Sequence, residues 1–213
     1  MTRGAFITLE GVEGVGKSTC VSTIETALRE SGYTVLVTRE PGGTALGEQV
    51  REWILDEREG GLSGEIEALL MFAARARHLD RLIAPALAQG RWVVCDRFTD
   101  ATYAYQHGGR GVDRRSLDAL AYMVHPELEP DLTLLLDAPV AVGLQRIQDR
   151  EHDRFEKENI EFFDRVRAAY TEIADRAPHR VRKIDADQSV EAVTRDILAA
   201  LLEFRARFDG VEQ

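Results

Sequence analysis

Apolar residues along this chain recur in two rhythms that take turns. Short, nearly continuous apolar runs at 5–9, 33–38, 92–96 and 131–137 have the length and composition of buried strands, and Val181-Arg182-Lys183-Ile184-Asp185-Ala186 reads as a short fifth strand and loop. Between them, apolar positions return at helical spacing. They are Val21, Ile24 and Leu28, then 46–55, a long stretch over 65–88, 117–124, and 139–147 with Pro139 in its first turn. The series Phe162, Phe163, Val166, Ala169, Tyr170 and Ile173 and a closing stretch over 190–204 complete the set. Ser31-Gly32 and Gln89-Gly90 stop helices, and Arg39-Glu40-Pro41-Gly42-Gly43 forces a loop after the second strand. Strands alternating with helices predict a five-stranded parallel sheet with helices on both faces. In the 65–88 helix the spacing predicts that Ile66, Leu69, Leu70 and Ala73 face the core.

One stretch narrows the α/β class further. Gly11-Val12-Glu13-Gly14-Val15-Gly16-Lys17-Ser18-Thr19 follows the first strand and opens the first helix. In that context G-x-x-x-x-G-K-S is a phosphate cradle. Glycines let several backbone N–H groups converge on one anion, and the helix N-terminus adds the positive end of its dipole. Lys17 is expected to reach the β- and γ-phosphates of a nucleoside triphosphate, and the Ser18 hydroxyl to bind Mg²⁺. A dinucleotide fingerprint fits worse, because the glycine spacing here is G-x-x-G-x-G. The expected fold is therefore a P-loop NTPase-like three-layer sandwich, one domain over 1–213, with a short lid at about 146–158.

A net charge of −10 argues against a general nucleic-acid or membrane-surface binder. Phosphates must be held by local basic groups. No apolar run reaches membrane-spanning length, and the chain enters its first strand directly after Gly4, so no signal peptide and a cytoplasmic location are expected. Cys20 and Cys95 have no partner at metal-ligand spacing and are expected to be buried free thiols in a reducing compartment. The tail from Asp209 is expected to fray.

Further chemistry clusters at strand ends. Asp96 ends the third strand, where P-loop enzymes keep an acid for Mg²⁺ or its waters, and Arg97 follows it. Arg39 and Glu40 end the second strand. Plain surface ion pairs are the alternative in both places. Residues 99–111 are rich in hydrogen-bonding side chains and read as a substrate wall followed by a flexible loop. Phe72 and Arg75 fall about 60° apart on the long helix. They could hold a flat carbonyl-bearing base, but periodicity favours a second core stripe with a snorkelling arginine. Arg146, Arg150 and Arg154 are spaced by four. They read either as a solvated, ion-paired helix face or as a lid that brings guanidinium groups over phosphates. His152 is at the surface on either view. A GTPase-like switch would carry N-K-x-D, which is absent, and a D-x-x-G after the third strand, where Asp96-Arg97-Phe98-Thr99 stands instead. A small-molecule kinase with a phosphate-bearing acceptor fits better.

The segments Gly11 to Thr19, Arg39-Glu40-Pro41-Gly42-Gly43-Thr44, Met71-Phe72-Ala73-Ala74-Arg75, Asp96-Arg97, Thr102-Tyr103-Ala104-Tyr105-Gln106, Gly108-Gly109-Arg110-Gly111, Asp131-Leu132-Thr133 and Asp153-Arg154-Phe155-Glu156 occur in this order. Together they resemble the bacterial thymidylate kinases along essentially the whole chain. The resemblance implies ATP and dTMP as substrates, dTDP and ADP as products, Mg²⁺ as cofactor, and a cytosolic homodimer. It implies that Phe72 stacks on thymine, Arg75 donates to its carbonyl edge, and Thr102 and Gln106 contact the base. Tyr105 would crowd the sugar 2′ position and Glu13 would lie near the 3′-hydroxyl. Arg97, helped by Arg39, would clamp the acceptor phosphate. Asp96 and Glu10 would be the acids nearest Mg²⁺, and Arg146 would border adenine. Pro41 falls where the family has a cis peptide bond. The variable P-loop positions Val12, Glu13, Gly14 and Val15 are not basic, which resembles the type whose catalytic arginine comes from the lid. That points to Arg154, assisted by Arg150. The stretch between those two is one residue shorter than is usual, and His107 stands where a glycine is common. A deoxynucleoside kinase, with Glu40 as base, is the alternative enzyme.

Overall fold

A computed structural model describes residues 3–56, 61–148, 154–155 and 157–210. Five strands, β1 (Phe6–Glu10), β2 (Val35–Arg39), β3 (Trp92–Asp96), β4 (Leu132–Asp137) and β5 (Val181–Asp185), form one parallel sheet in the order β2-β3-β1-β4-β5. Between and after them lie α1 (Lys17–Glu30), α2 (Ala45–Leu55), α3 (Gly64–His78), α4 (Ala84–Ala88), α5 (Thr99–Thr102), α6 (Arg114–Val124), α7 (Val140–Ile147), α8 (Ile160–Arg176) and α9 (Val190–Gly210). Among the described residues no helix is long and apolar enough to cross a membrane.

Strand alternation divides the core into two layers. Ile7, Leu9 and Val94 pack with Ile24 and Leu28 of α1 and with Ile197 and Leu201 of α9. Phe6, Val93 and Cys95 face the other way, onto Leu79, Ile83, Leu87 and Phe98. The register sets Asp96 opposite both Leu9 and Arg39. Glu10, Arg39 and Asp96 therefore share one edge, at the carboxyl ends of the strands, where open α/β sheets place their ligands. Cys20 and Cys95 are buried and free.

Four details differ from the sequence reading. The 65–88 helix is α3 and α4 joined by a π-helical turn at Leu79–Ile83. Pro85 has no N–H to donate, so the backbone passes it in the wider turn. Of the α3 stripe expected to face the core, Leu70 packs against it, but Ile66, Leu69 and Ala73 are exposed. Leu69 is 57% exposed and Ile66 46%, whereas Ala68, Met71, Phe72, Arg75 and His78 are buried. Periodicity marks an apolar stripe but not what lies against it, and Ile66 and Leu69 are left uncovered among the described residues. Residues 99–109 are helical throughout rather than running into a flexible loop, α5 continuing directly into a π-helical stretch, Tyr103–Gly109. Finally, α9 continues to Gly210, and Asp209 accepts a 2.6 Å hydrogen bond from Tyr33.

Candidate active site

The cradle sits between β1 and α1. Gly14 has φ +72, and a Cβ there would lie 1.9 Å from the Gly143 carbonyl oxygen, so only glycine fits. Gly16 caps α1 at φ 94, and no side chain bonds the first N–H groups of the helix. Thr44, Ser63, Asp113 and Asn159, by contrast, cap their helices with side-chain oxygens. A helix start left to bind through its own N–H groups suits an anion. Lys17 Nζ donates to the carbonyls of Gly11 and Val12, at 3.0 and 2.8 Å. Burial first, and the Arg97 charge next, push its amine down to about 8.

Arg97 joins the cradle to the neighbouring wall. At φ 68 it is the one non-glycine residue with positive φ among those described, a conformation that must be held by its surroundings. Its main-chain N–H bonds Leu9 O at 2.9 Å, and Glu10 accepts from the next amide, Phe98 N, at 2.8 Å. The Arg97 side chain then reaches Glu13 Oε1 at 2.9 Å, the Tyr105 hydroxyl oxygen at 2.9 Å and Gly11 O at 3.2 Å. Tyr105 donates to Glu13 as well. A second network lies at the end of β2, next to the cis Glu40–Pro41 bond. Glu40 Oε2 accepts from Arg75 Nε at 2.7 Å and Oε1 from His78 Nδ1 at 3.0 Å. Thr38 Oγ1 lies 2.7 Å from His78 Nε2. Arg75, fully buried, also donates to Phe98 O and Thr102 Oγ1, and stacks on Phe72 with 4.8 Å to the ring centroid.

Both networks border one cavity of about 510 Å³. Its lining includes Glu13, Gly14, Gly16, Lys17, Ser18 and Thr19 of the cradle together with Arg39, Arg97, Tyr105 and Gln106. Asp96 and Arg146 also reach it. Two phosphate-bearing groups fit such a cavity, one on the cradle and one on the arginines. The family model described as thymidylate kinase matches residues 9–197. The chain belongs to the thymidylate kinase family. The thymidylate kinase of Nitrosospira multiformis is 55% identical over 92% of this chain and 95% of its own, and that of Nitrosomonas europaea 51% over 96% and 95%. A crystal structure of thymidylate kinase from Ehrlichia chaffeensis superposes with a TM-score of 0.77 at 33% identity, covering 93% of this chain and 99% of that one.

Set against the thymidylate kinase pattern, several expected site residues stand elsewhere. Gly11, Val12 and Val15 are buried beneath the cavity. Phe72, Arg75 and Thr102 are buried beside cavity-lining Met71 and Ala101 rather than in the wall. Arg150 lies outside the described residues. Arg154 does not line the cavity, and its guanidinium is taken up by Glu67 and by the carbonyls of Ile54 and Leu62. Glu67 was not legible as a site residue. A glutamate in the first turn of a helix, here beside Glu65, reads as a dipole partner. Glu10 is fully buried, and its oxygens accept from Phe98 N and the Tyr170 hydroxyl. It supports the turn that carries Arg97 and does not face the cavity.

Burial, and secondarily the Asp100 charge, raise the Glu10 carboxyl from 4.5 to about 8. Between those values the folded chain binds the proton and the unfolded chain does not, so stability falls as pH rises through that window. Glu10→Gln removes this dependence. The melting temperature of the variant relative to the parent should rise between about pH 5 and about pH 9. A difference independent of pH would show that Glu10 titrates as an ordinary carboxylate.

Proposed function

We propose that this chain transfers the γ-phosphoryl group of ATP to dTMP, giving ADP and dTDP, and that the shared cavity aligns donor and acceptor. The observation that carries this reading is one cavity lined both by the P-loop and by Arg39 and Arg97. In it the ATP phosphates lie on Gly14, Gly16, Lys17, Ser18 and Thr19, with Arg146 toward adenine. The dTMP phosphate meets Arg97 and Arg39. Glu13 and Tyr105 border the sugar. Gln106, Thr102, Phe72 and Arg75 read the base, the last three once Met71 turns aside. An acceptor phosphate is already anionic, so positioning and charge neutralisation supply the rate. Glu40 is not available as a base, because Arg75 and His78 occupy its two oxygens.

Mg²⁺ fits beside Ser18 and Asp96. Asp96 Oδ1 is buried without a hydrogen-bond partner among the described residues, as an acceptor waiting for a metal-bound water would be. Bound there, the ion would offset charge on the β- and γ-oxygens. Lys17 and Arg97 neutralise charge from the protein side, and Arg150 is the lid group offered to the transferring phosphoryl. The chain acts as a homodimer. The exposed Ile66 and Leu69 of α3, Trp53 of α2 and Tyr122 and Met123 of α6 support this, because α3 packs between α2 and α6 and such apolar area on neighbouring helices calls for a cover. Sedimentation at micromolar concentration should give twice the chain mass, and Leu69→Glu should lower it to one. Free buried thiols support a cytoplasmic location.

The deciding assay is ADP production with ATP and Mg²⁺ against dTMP, dUMP, dCMP, UMP, thymidine and no acceptor. Rapid turnover is expected with dTMP, slower with dUMP and none with thymidine. Turnover with thymidine would move the acceptor to a hydroxyl, and hydrolysis alone would overturn the kinase reading.

A further inference from the structure

We infer that Glu67 is a positioning residue that couples the base-reading wall to the end of the lid segment through Arg154. The inference rests on the reading of Gln106 as part of the dTMP site. Glu67 is fully buried in α3, and a buried carboxylate persists only among donors. Its Oε2 accepts from Gln106 Nε2 at 2.9 Å. Its Oε1 accepts from Arg154 Nη2 at 2.7 Å and lies 3.4 Å from Arg110 Nε. Arg154 also donates to Ile54 O at 3.0 Å and to Leu62 O at 3.1 Å. Its guanidinium is thus bound on three sides, which makes it an anchor and not a phosphate ligand.

A second contact runs between the same two regions. The Tyr105 ring meets Phe155 edge-on at 5.6 Å, and Phe155 lines the cavity. Arg110 adds to the junction. It pairs with Glu158 at 2.6 Å, and its guanidinium stands over Phe162 at 4.7 Å. Residues 105 and 106 of the wall are therefore tied to residues 154 and 155 by one carboxylate and one ring contact. Withdrawing the Arg154 cation leaves Glu67 short of its strongest donor. The carboxylate then re-aims toward Arg110, and Gln106 Nε2, which it holds in place, moves with it.

The test is dTMP binding measured calorimetrically without ATP, for the parent, Arg154→Ala, Gln106→Ala and the double variant, with the KM for ATP measured alongside. Arg154→Ala should weaken dTMP binding about five- to tenfold although the side chain does not line the cavity. The double variant should be within about twofold of Gln106→Ala, because both changes cut the same chain of contacts. The KM for ATP should stay within about twofold, which general damage to the fold would not allow. If Arg154→Ala does not fold, Arg154→Gln, which removes the cation at Glu67 but keeps much of the side-chain volume, enters the same cycle under the same criteria. A dTMP affinity unchanged by either Arg154 variant, or losses that multiply in the double variant, would overturn the coupling. A parent chain that binds no dTMP would overturn the acceptor-site reading itself, and this inference with it.

Discussion

Lys17→Met lowers turnover by about a thousandfold or more, while the variant still folds. Methionine matches the length of the lysine stem, so the packing of α1 against the sheet is kept. What it loses is the charge opposite the β- and γ-phosphates, where negative charge shifts during transfer. The amine is half-buried and already held by the protein. It rests on the carbonyls of Gly11 and Val12 and is pushed down to about 8 by burial and by the nearby Arg97. The free chain therefore carries a partly neutral Lys17 near pH 8, and bound phosphates draw the proton back. It follows that ATP binding takes up a proton near pH 8, and that affinity falls as pH rises beyond it. Calorimetry in two buffers of different ionisation enthalpy reads the proton, and steady-state assays read the turnover. In Lys17→Met the proton uptake should vanish together with the rate. A variant within tenfold of the parent would remove Lys17 from the mechanism.

The parts of this fold that were legible in the sequence are those written in local signals. The apolar runs at 5–9, 92–96 and 131–137 locate β1, β3 and β4 to within a residue or two, because a strand buried on both faces leaves little room for polar positions. The cradle is legible because glycine is compulsory where the backbone itself must make room. Gly14 faces the Gly143 carbonyl, and in the loop after β2, outside the cradle, Gly43 lies so near His78 Nε2 and Thr38 Oγ1 that an added Cβ would stand 2.6 Å from each. Signals that depend on contacts distant in sequence were not legible. Nothing near Glu67 announces that Gln106, Arg110 and Arg154 will converge on it. Nothing near Glu10 announces that Tyr170 and the Phe98 amide will occupy a carboxylate that the strand-end pattern offers to Mg²⁺.

The α3 helix teaches the same point at the level of packing. Two apolar stripes run along it, and periodicity marks both. The stripe through Ile66 and Leu69 was expected inside and is exposed, whereas the side through Ala68, Phe72 and Arg75 is buried. An arginine on a helix face reads as snorkelling, yet Arg75 is fully buried. It can be buried because Glu40 arrives from the end of β2, thirty-five residues away in sequence.

That burial sets the second large effect. Arg75→Met destabilises the chain by about 3–5 kcal/mol and abolishes productive dTMP binding. Arg75 and Glu40 have side chains 0% and 2% exposed, so solvent does not screen the pair. Their separate burial costs are offset mainly by each other, by His78, by Phe98 O and by Thr102 Oγ1. Methionine fills much of the arginine volume. The loss is therefore not a cavity but a carboxylate left buried with His78 as its one remaining partner. The melting temperature should fall by about 10 °C in a chain of this size. If the stranded charge is the cause, Glu40→Gln added to Arg75→Met should restore part of that loss, since an amide is cheaper to bury unpaired than a carboxylate. On the proposed reading of Arg75 as a donor to the base carbonyl, the double variant should remain unable to bind dTMP. Chemical denaturation reads the stability and calorimetry the binding. A single variant that loses less than about 1 kcal/mol would mean that Glu40 finds other donors in this fold, and that the Arg75–Glu40 pair serves recognition alone.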